Sequence, residues 1–205
     1  MTNAPQALVV LAHPRPGSLN HALAAAAVEA LESRGVPVRS HDLYAEGFDP
    51  VLGAEEAYTS GSDALTVADA GDPLTRKHRR EIVEASVLVV VHPNWWGKPP
   101  AMMAGWMDRV FVPGVAYALD QAAGLPTPML SLRTLVVLNT SDTPADREAS
   151  DFGDPLDAMW RRCLAPFVGS PVVERRVFRV VADADATERA TWLAEVANLL
   201  GDIDV

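Results

Sequence analysis

Short apolar runs recur along the chain: Ala7 to Ala12, Val36 to His41, Val87 to His92, Leu135 to Asn139 and Val172 to Val181. The first, third and fourth are continuously apolar and rich in Val and Leu, the pattern of strands covered on both faces. The fifth alternates valines with Glu174, Arg175, Arg176 and Arg179, which predicts an edge strand. Between the runs lie helical periodicities. Leu19 to Arg34 is alanine-rich and stops at Gly35, a natural helix terminator. Ala101 to Val112, Pro155 to Phe167 and Thr187 to Leu200 complete the set. Strands alternating with helices predict an α/β fold: a doubly wound parallel sheet with helices on both faces, here five strands in one domain over residues 1–205. One segment breaks the rhythm. Residues 44–74 hold four glycines, two prolines and many acidic side chains, so the excursion reads as either a functional loop or a partly disordered one.

Charge and cysteine content narrow the class. A net charge of −10 argues against nucleic acid or an anionic membrane surface as partner, since both need a basic patch. The one basic cluster, Arg76-Lys77-His78-Arg79-Arg80, runs into Glu81 and reads as the solvated start of a helix. Cys163 is the single cysteine, and no apolar run approaches a membrane span. The first residues lack a signal-peptide pattern, so the expected location is the cytoplasm.

In doubly wound sheets ligands bind beyond the carboxyl ends of the strands, where the strand order reverses. Three loops are therefore informative. The first, His13-Pro-Arg-Pro-Gly-Ser-Leu-Asn20, leads straight into a helix. Ser18 or Asn20 can cap that helix, and its free N–H groups form an anion seat that needs no net positive charge. The second, HPNWWGKPPA at 92–101, sets Trp95 and Trp96 among prolines 93, 99 and 100. A stiffened loop loses less entropy on gripping something flat. One of the two adjacent indoles is expected to point inward and the other toward the cleft. The third, Asn139-Thr-Ser-Asp-Thr-Pro144, is a cluster of small polar groups suited to a ring edge or to a plain turn. A phosphate seat, a stacking wall and a polar clamp together fit a flavin. Neither G-x-G-x-x-G nor a P-loop pattern occurs.

The segments LVVLAHPRPGSLN (8–20), DLYAEGFDPVL (42–52) and HPNWWGKPPAMMAGWMDRVFVPGVAY (92–117) resemble the flavodoxin-like NAD(P)H:quinone oxidoreductases, of the quinone reductase and modulator-of-drug-activity type. The resemblance implies a flavin held at its phosphates by His13, Ser18, Leu19 and Asn20, and Arg15 of the same loop is a further candidate. The resemblance sets Pro93, Asn94, Trp95, Trp96 and Gly97 along the ring, while Thr140, Ser141, Asp142 and Thr143 are ring-edge candidates from the polarity of their own loop. It further implies a homodimer in which Tyr117 reaches across the interface, so that Trp96 and Tyr117 line the pocket of a quinone-like acceptor. NAD(P)H would donate a hydride to the flavin and the acceptor would follow by a ping-pong course, with backbone N–H groups of the 94–97 and 140–143 loops stabilising reduced-state charge. The chain length and the 44–74 excursion lean toward FAD, with FMN close beside it.

The sequence departs from the family where a Thr-Thr-Gly-Gly-like stretch, a tyrosine and a histidine are usual. Here stand Thr140-Ser141-Asp142-Thr143, and no Tyr or His follows Tyr117. Arg147 is the candidate charge partner for the flavin. The acidic run Asp142, Asp146, Glu148, Asp151, Asp154 and Asp157 reads as a solvated loop and helix start. The histidines at 13, 21, 41, 78 and 92 show no metal-ligand spacing, so no metal is expected. His92 reads as a strand-end residue, and no nucleophile triad is visible around Ser18 and His13. Two alternatives remain: a regulatory subunit of the same fold with little or no flavin, and a pathway-specific quinone or enone reductase.

Overall fold

The Val- and Leu-rich runs form the centre of the sheet, and the mixed ones its edges. The computed structural model describes residues 6–59, 62–119, 126–169 and 171–205. Its strands are β1 (Ala7–Leu11), β2 (Val38–Asp42), β3 (Val87–Pro93), β4 (Tyr117–Leu119), β5 (Pro126–Pro128), β6 (Thr134–Thr140) and β7 (Val172–Phe178). Five of them make one parallel sheet in the order β2-β1-β3-β6-β7. The short β4 and β5 pair antiparallel as a separate ribbon that the sequence pattern does not signal. β7 lies at an edge, as its charge pattern predicts, and β1, β3 and β6 are buried along their whole length.

Helices cover both faces. Helix α1 (Leu19–Ser33) and helix α7 (Ala186–Asp202) pack on one, where Val9, Leu23, Val89, Val136, Trp192 and Val196 meet. On the other lie α2 (Ala64–Asp69), α3 (Pro73–Glu84) and α4 (Ala101–Val110), with Leu8, Val10, Val90, Ile82, Met103 and Trp106 in contact. A single turn, α5 (Ala145–Arg147), follows β6. The predicted helix at 155–167 is an irregular one. It begins as α6 (Pro155–Ala158) and continues through a π-helical stretch to Leu164 and a tighter turn to Val168.

The 44–74 excursion keeps most of its side chains at the surface but is anchored where it is described; residues 60 and 61 lie outside the described residues. Glu56 is buried and holds two arginines: Arg79 Nη2 at 2.7 Å and Arg109 Nη2 at 2.8 Å. Arg79 also donates to the carbonyls of Val67, Ala68 and Ala70, and Arg109 to that of Asp49 and to the Asp72 carboxylate. These bonds end the excursion's orphan carbonyls on charged donors, which is how irregular backbone survives burial. Gly105 of α4 lies so close to Pro50 that a Cβ would come 2.1 Å from its carbonyl oxygen. The basic cluster is a solvated helix face only in part: Lys77 and Arg80 are exposed, whereas His78 and Arg79 are buried. Their destination was invisible because the partner, Glu56, sits in a stretch with no periodicity.

His78 lies in a second polar chain. Trp106 Nε1–H donates to its Nδ1 at 2.9 Å, which places the proton of the neutral ring on Nε2, 3.3 Å from Glu46 Oε2 and too skewed for a full hydrogen bond. Glu46 in turn meets His41 Nδ1 at 2.7 Å, and Glu81 meets His41 Nε2. The side chains of His41, Glu46 and His78 are clustered as metal ligands could be. A metal needs a lone pair on His78 Nε2, and the Trp106 bond commits the only available one to Nδ1.

Glu56→Ala leaves two buried guanidinium groups without their carboxylate and should cost about 3–5 kcal/mol in urea unfolding; a loss below about 1 kcal/mol would mean the excursion does not depend on it. Burial, reinforced by His41 and Lys77, pushes His78 down to about 3, and burial pushes His92 down to about 4, against the Pro93 carbonyl. Both rings are neutral in the native state, so unfolding takes up protons below the ordinary histidine range. Their stabilisation is complete above about pH 6.5 and is lost as pH falls toward the native values, by about 2 kcal/mol per ring at pH 5. Urea midpoints at pH 7.5 and 5 read this directly, and His92→Gln should shrink the difference.

Candidate active site

The site is built where β1 and β3 send their chains to opposite faces. Residues from three loops meet there in two adjoining clefts. The first cleft, about 300 Å³, is lined by His13, Arg15, Ser18, Leu19, Asn20, Pro93, Asn94, Trp95 and Thr140 to Thr143, with Val181 and Arg189 closing it. Every residue of the anticipated phosphate loop is present. Sequence reasoning missed Arg189, which α7 brings in from the far end of the chain. It lies in the first turn of that helix beside Glu188, where nothing in the local sequence marks it as part of a site.

Ser18 occupies the cap position of α1, but its side chain makes no cap bond. Among the described residues the N–H groups of Leu19 and Asn20 meet no acceptor. An uncapped helix start of 15 residues carries partial positive charge toward the cleft. The Asn20 side chain is otherwise engaged, donating to Thr140 Oγ1 at 3.0 Å and so tying the first loop to the third. His13 Nδ1 takes the Arg15 N–H at 3.1 Å; burial, more than its charged neighbours, holds this ring below the ordinary histidine range.

The second cleft, about 600 Å³, is lined by Asn94, Trp96, Gly97, Thr143, Arg147, Glu148, Asp151, Phe152 and Pro155. Residues 95–98 form a two-residue hairpin: Trp95 and Lys98 exchange N–H···O bonds of 3.0 and 3.2 Å. Trp96 and Gly97 take φ of +60° and +71°, the left-handed pair that such a turn demands and that Asn-Gly normally supplies. A tryptophan there is strained by about 1–2 kcal/mol. The reward is position: Trp96 is 96 % exposed, and Trp95, 38 % exposed, lies beside His13. The expectation that one indole points inward is therefore wrong. The turn splays both toward the clefts. Gly97 cannot carry a side chain, since a Cβ would lie 2.6 Å from Pro155 Cγ.

The backbone N–H groups expected to stabilise charge are mostly spent. Asn94 donates to Thr140 O, Gly97 to Asn94 Oδ1, Ser141 to Phe178 O and Thr143 to Ser141 Oγ. Among the described residues those of Trp96 and Asp142 meet no acceptor. Glu148, expected to be solvated, is 3 % exposed, and among the described residues its carboxylate takes only the Asn94 amide, at 3.3–3.4 Å. Arg147 stands over the Phe152 ring and 3.3 Å from Asp151. Beneath this wall His92 is fully buried as a strand-end residue, packed on Trp160 and held by Asn139, whose Oδ1 takes Arg175 Nε–H. Tyr117 stands apart. It lines a third, apolar cavity of about 410 Å³ with Leu52, Phe111, Cys163 and Phe167, so one chain alone does not join it to Trp96.

Comparison with known proteins places the chain in a family. The family described as flavodoxin-like fold matches residues 5–200. The chain is 32 % identical over 210 residues to the ribosyldihydronicotinamide dehydrogenase (quinone) of Mus musculus, covering 96 % of this chain and 90 % of that protein. It is 34 % identical over 123 residues to NAD(P)H dehydrogenase (quinone) 1 of Cavia porcellus, covering 55 % and 45 %. The chain thus spans about half the length of several curated relatives that it matches. The crystal structure of Smu.1420 from Streptococcus mutans UA159 superposes with a TM-score of 0.81 at 28 % identity, over 97 % of this chain and 100 % of that one. Sheet order, loop placement and full-length likeness together make this chain a member of the flavodoxin-like NAD(P)H:quinone oxidoreductase family.

Proposed function

We propose that the chain is a flavin-dependent NAD(P)H oxidoreductase that delivers two electrons to quinones or similarly electron-poor acceptors, with FAD as its cofactor and FMN accepted by the same seat. The observation that carries this reading is the meeting of an uncapped helix N-terminus, three arginines and an exposed, strained tryptophan in adjoining clefts. The residues fit the group. Leu19 and Asn20 N–H, Ser18, Arg15 and Arg189 would hold its phosphates, and Asn94 to Gly97 with Thr143 would flank its ring.

When bound, a flavin supplies hydride acceptance and donation. The chain's own part is to orient and to exclude. Trp96 offers one apolar wall for a flat acceptor. Tyr117 would offer the other from a second copy, which makes the working unit a homodimer with the site at its interface; the exposed Leu52 and Phe167 beside Tyr117 favour such burial. Arg147, lining the second cleft, would balance charge that reduction leaves at the ring. Donor and acceptor would occupy the same place in turn, giving ping-pong kinetics. The single, exposed Cys163 suits a cytoplasmic setting, and no helix among the described residues is long and apolar enough to cross a membrane.

Steady-state rates with NADH or NADPH against a quinone series test the order of events: parallel double-reciprocal lines are expected, and intersecting lines would contradict alternation at one place. Trp96→Asn separates strain from use. Asparagine suits the turn, so stability should rise by about 1 kcal/mol, while the acceptor's KM should rise roughly tenfold from lost stacking. A less stable variant would show that Trp96 serves the fold, and unchanged kinetics would show that it does not stack on the acceptor.

A further inference from the structure

Ser18 sits at the start of α1, yet its hydroxyl bonds nothing in the helix backbone. Its Oγ lies 2.8 Å from Nδ1 of His21, one turn on, and the far side of that ring, Nε2, lies 3.0 Å from Asp42 Oδ2 at the end of β2. We infer that Ser18, His21 and Asp42 form a proton-switched hydrogen-bond donor for the phosphate of the bound flavin, with His21 the positioning residue. This rests on the flavin reading above and adds to it a group that sets cofactor affinity.

Donors and acceptors along this chain define two states. An ionised carboxylate only accepts, so Asp42 keeps a proton on His21 Nε2 whether the ring is charged or not. A neutral His21 then has a bare Nδ1, and the one proton of Ser18 is drawn into it. Ser18 turns lone pairs toward the cleft, where a phosphate oxygen is repelled. When His21 is protonated, Nδ1–H donates to Ser18 Oγ instead. The serine proton is then free to point at the anion, and a positive charge stands behind it. A hydroxyl can make this turn because it rotates about a single bond.

The spacing is that of a nucleophile, base and acid, which the sequence did not reveal because Asp42 belongs to another strand. Ser18 is only 3 % exposed, however, so it presents a polarised hydroxyl to a small anion and leaves no approach for an acyl group. The charged groups facing His21 are few. His13 stands edge-on with ring centroids 6.2 Å apart, Arg15 shares its loop, Asp42 comes from β2, and Arg189 of α7 closes the same cleft. None of them takes the place of Ser18 at Nδ1.

Asp42→Asn is the informative variant. Asp42 Oδ1 already accepts the N–H groups of Tyr44 and Ala45, so the asparagine oxygen would keep that role and its NH₂ would face His21. The ring would then carry its proton on Nδ1 without any charge, and Ser18 would stay a donor at every pH. FAD binding to the cofactor-free protein, followed by flavin fluorescence between about pH 5 and 8, is the measurement, with riboflavin as the phosphate-free control. Wild-type affinity for FAD should fall roughly tenfold as pH rises, while FAD binding to D42N and riboflavin binding to either protein should stay flat. A flat wild-type profile overturns the inference; so does a slope that persists in D42N, which would belong to His13, or a riboflavin profile that follows FAD. If D42N does not fold, Ser18→Ala decides the matter: without the hydroxyl only the charge on His21 is left to titrate, so the slope should shrink markedly, and a slope of wild-type size overturns the inference. Absence of flavin uptake at every pH would overturn the functional reading itself, and this inference with it.

Discussion

The open N-terminus of α1 is the feature on which the rest of the site depends. β1 turns to one face of the sheet through α1, and β3 turns to the other through α4, so the chain parts at their carboxyl ends and leaves a crevice. Such a gap exposes helix N–H groups that must be satisfied by something. A serine cap would normally do it. Here the hydroxyl is drawn sideways to His21, and the amides of Leu19 and Asn20 remain available. A chain with a net charge of −10 can therefore hold an anion, because the positive field is local and fixed by backbone geometry.

The elements around the crevice are stiffened by buried polar networks. Glu56 with Arg79 and Arg109 fastens the 44–74 excursion against α3 and α4. Arg175, Asn139 and His92 brace the strand ends below the second cleft. Breaking such a network costs more than forming it gains, so these residues set the precision of the loops more than the total stability. The strained Trp96 turn survives because its neighbours are held in this way: Asn94 caps Gly97 N–H and is itself anchored to Thr140 and Glu148.

The sheet and the main helices were legible because burial imposes a period on the chain. Val87 to His92 and Leu135 to Asn139 could be little else than covered strands. The three loops of the candidate site were legible for a related reason, since they fall at strand ends fixed by that period. What could not be read were partners far apart in sequence and free of periodicity. Arg79 and Glu56 look like surface residues on their own, as do Arg189 and Glu148. The same holds for Asp42 beside His21. The outward pose of both Trp95 and Trp96 was hidden for a different reason: it depends on two consecutive positive φ angles, which a Trp-Gly pair does not advertise as Asn-Gly does. The short ribbon of β4 and β5, built on two prolines, carries no strand signature at all.

The central claim is that the two clefts hold a flavin that cycles between NAD(P)H and an electron-poor acceptor. A visible absorption spectrum of the purified protein, with chromatography of whatever heat releases, tests it most directly. The expected result is bound FAD or FMN that bleaches on addition of NAD(P)H and recovers when a quinone is added. A colourless protein that takes up neither flavin would contradict it, and the exposed indoles at 95 and 96 would then be contacts for another macromolecule.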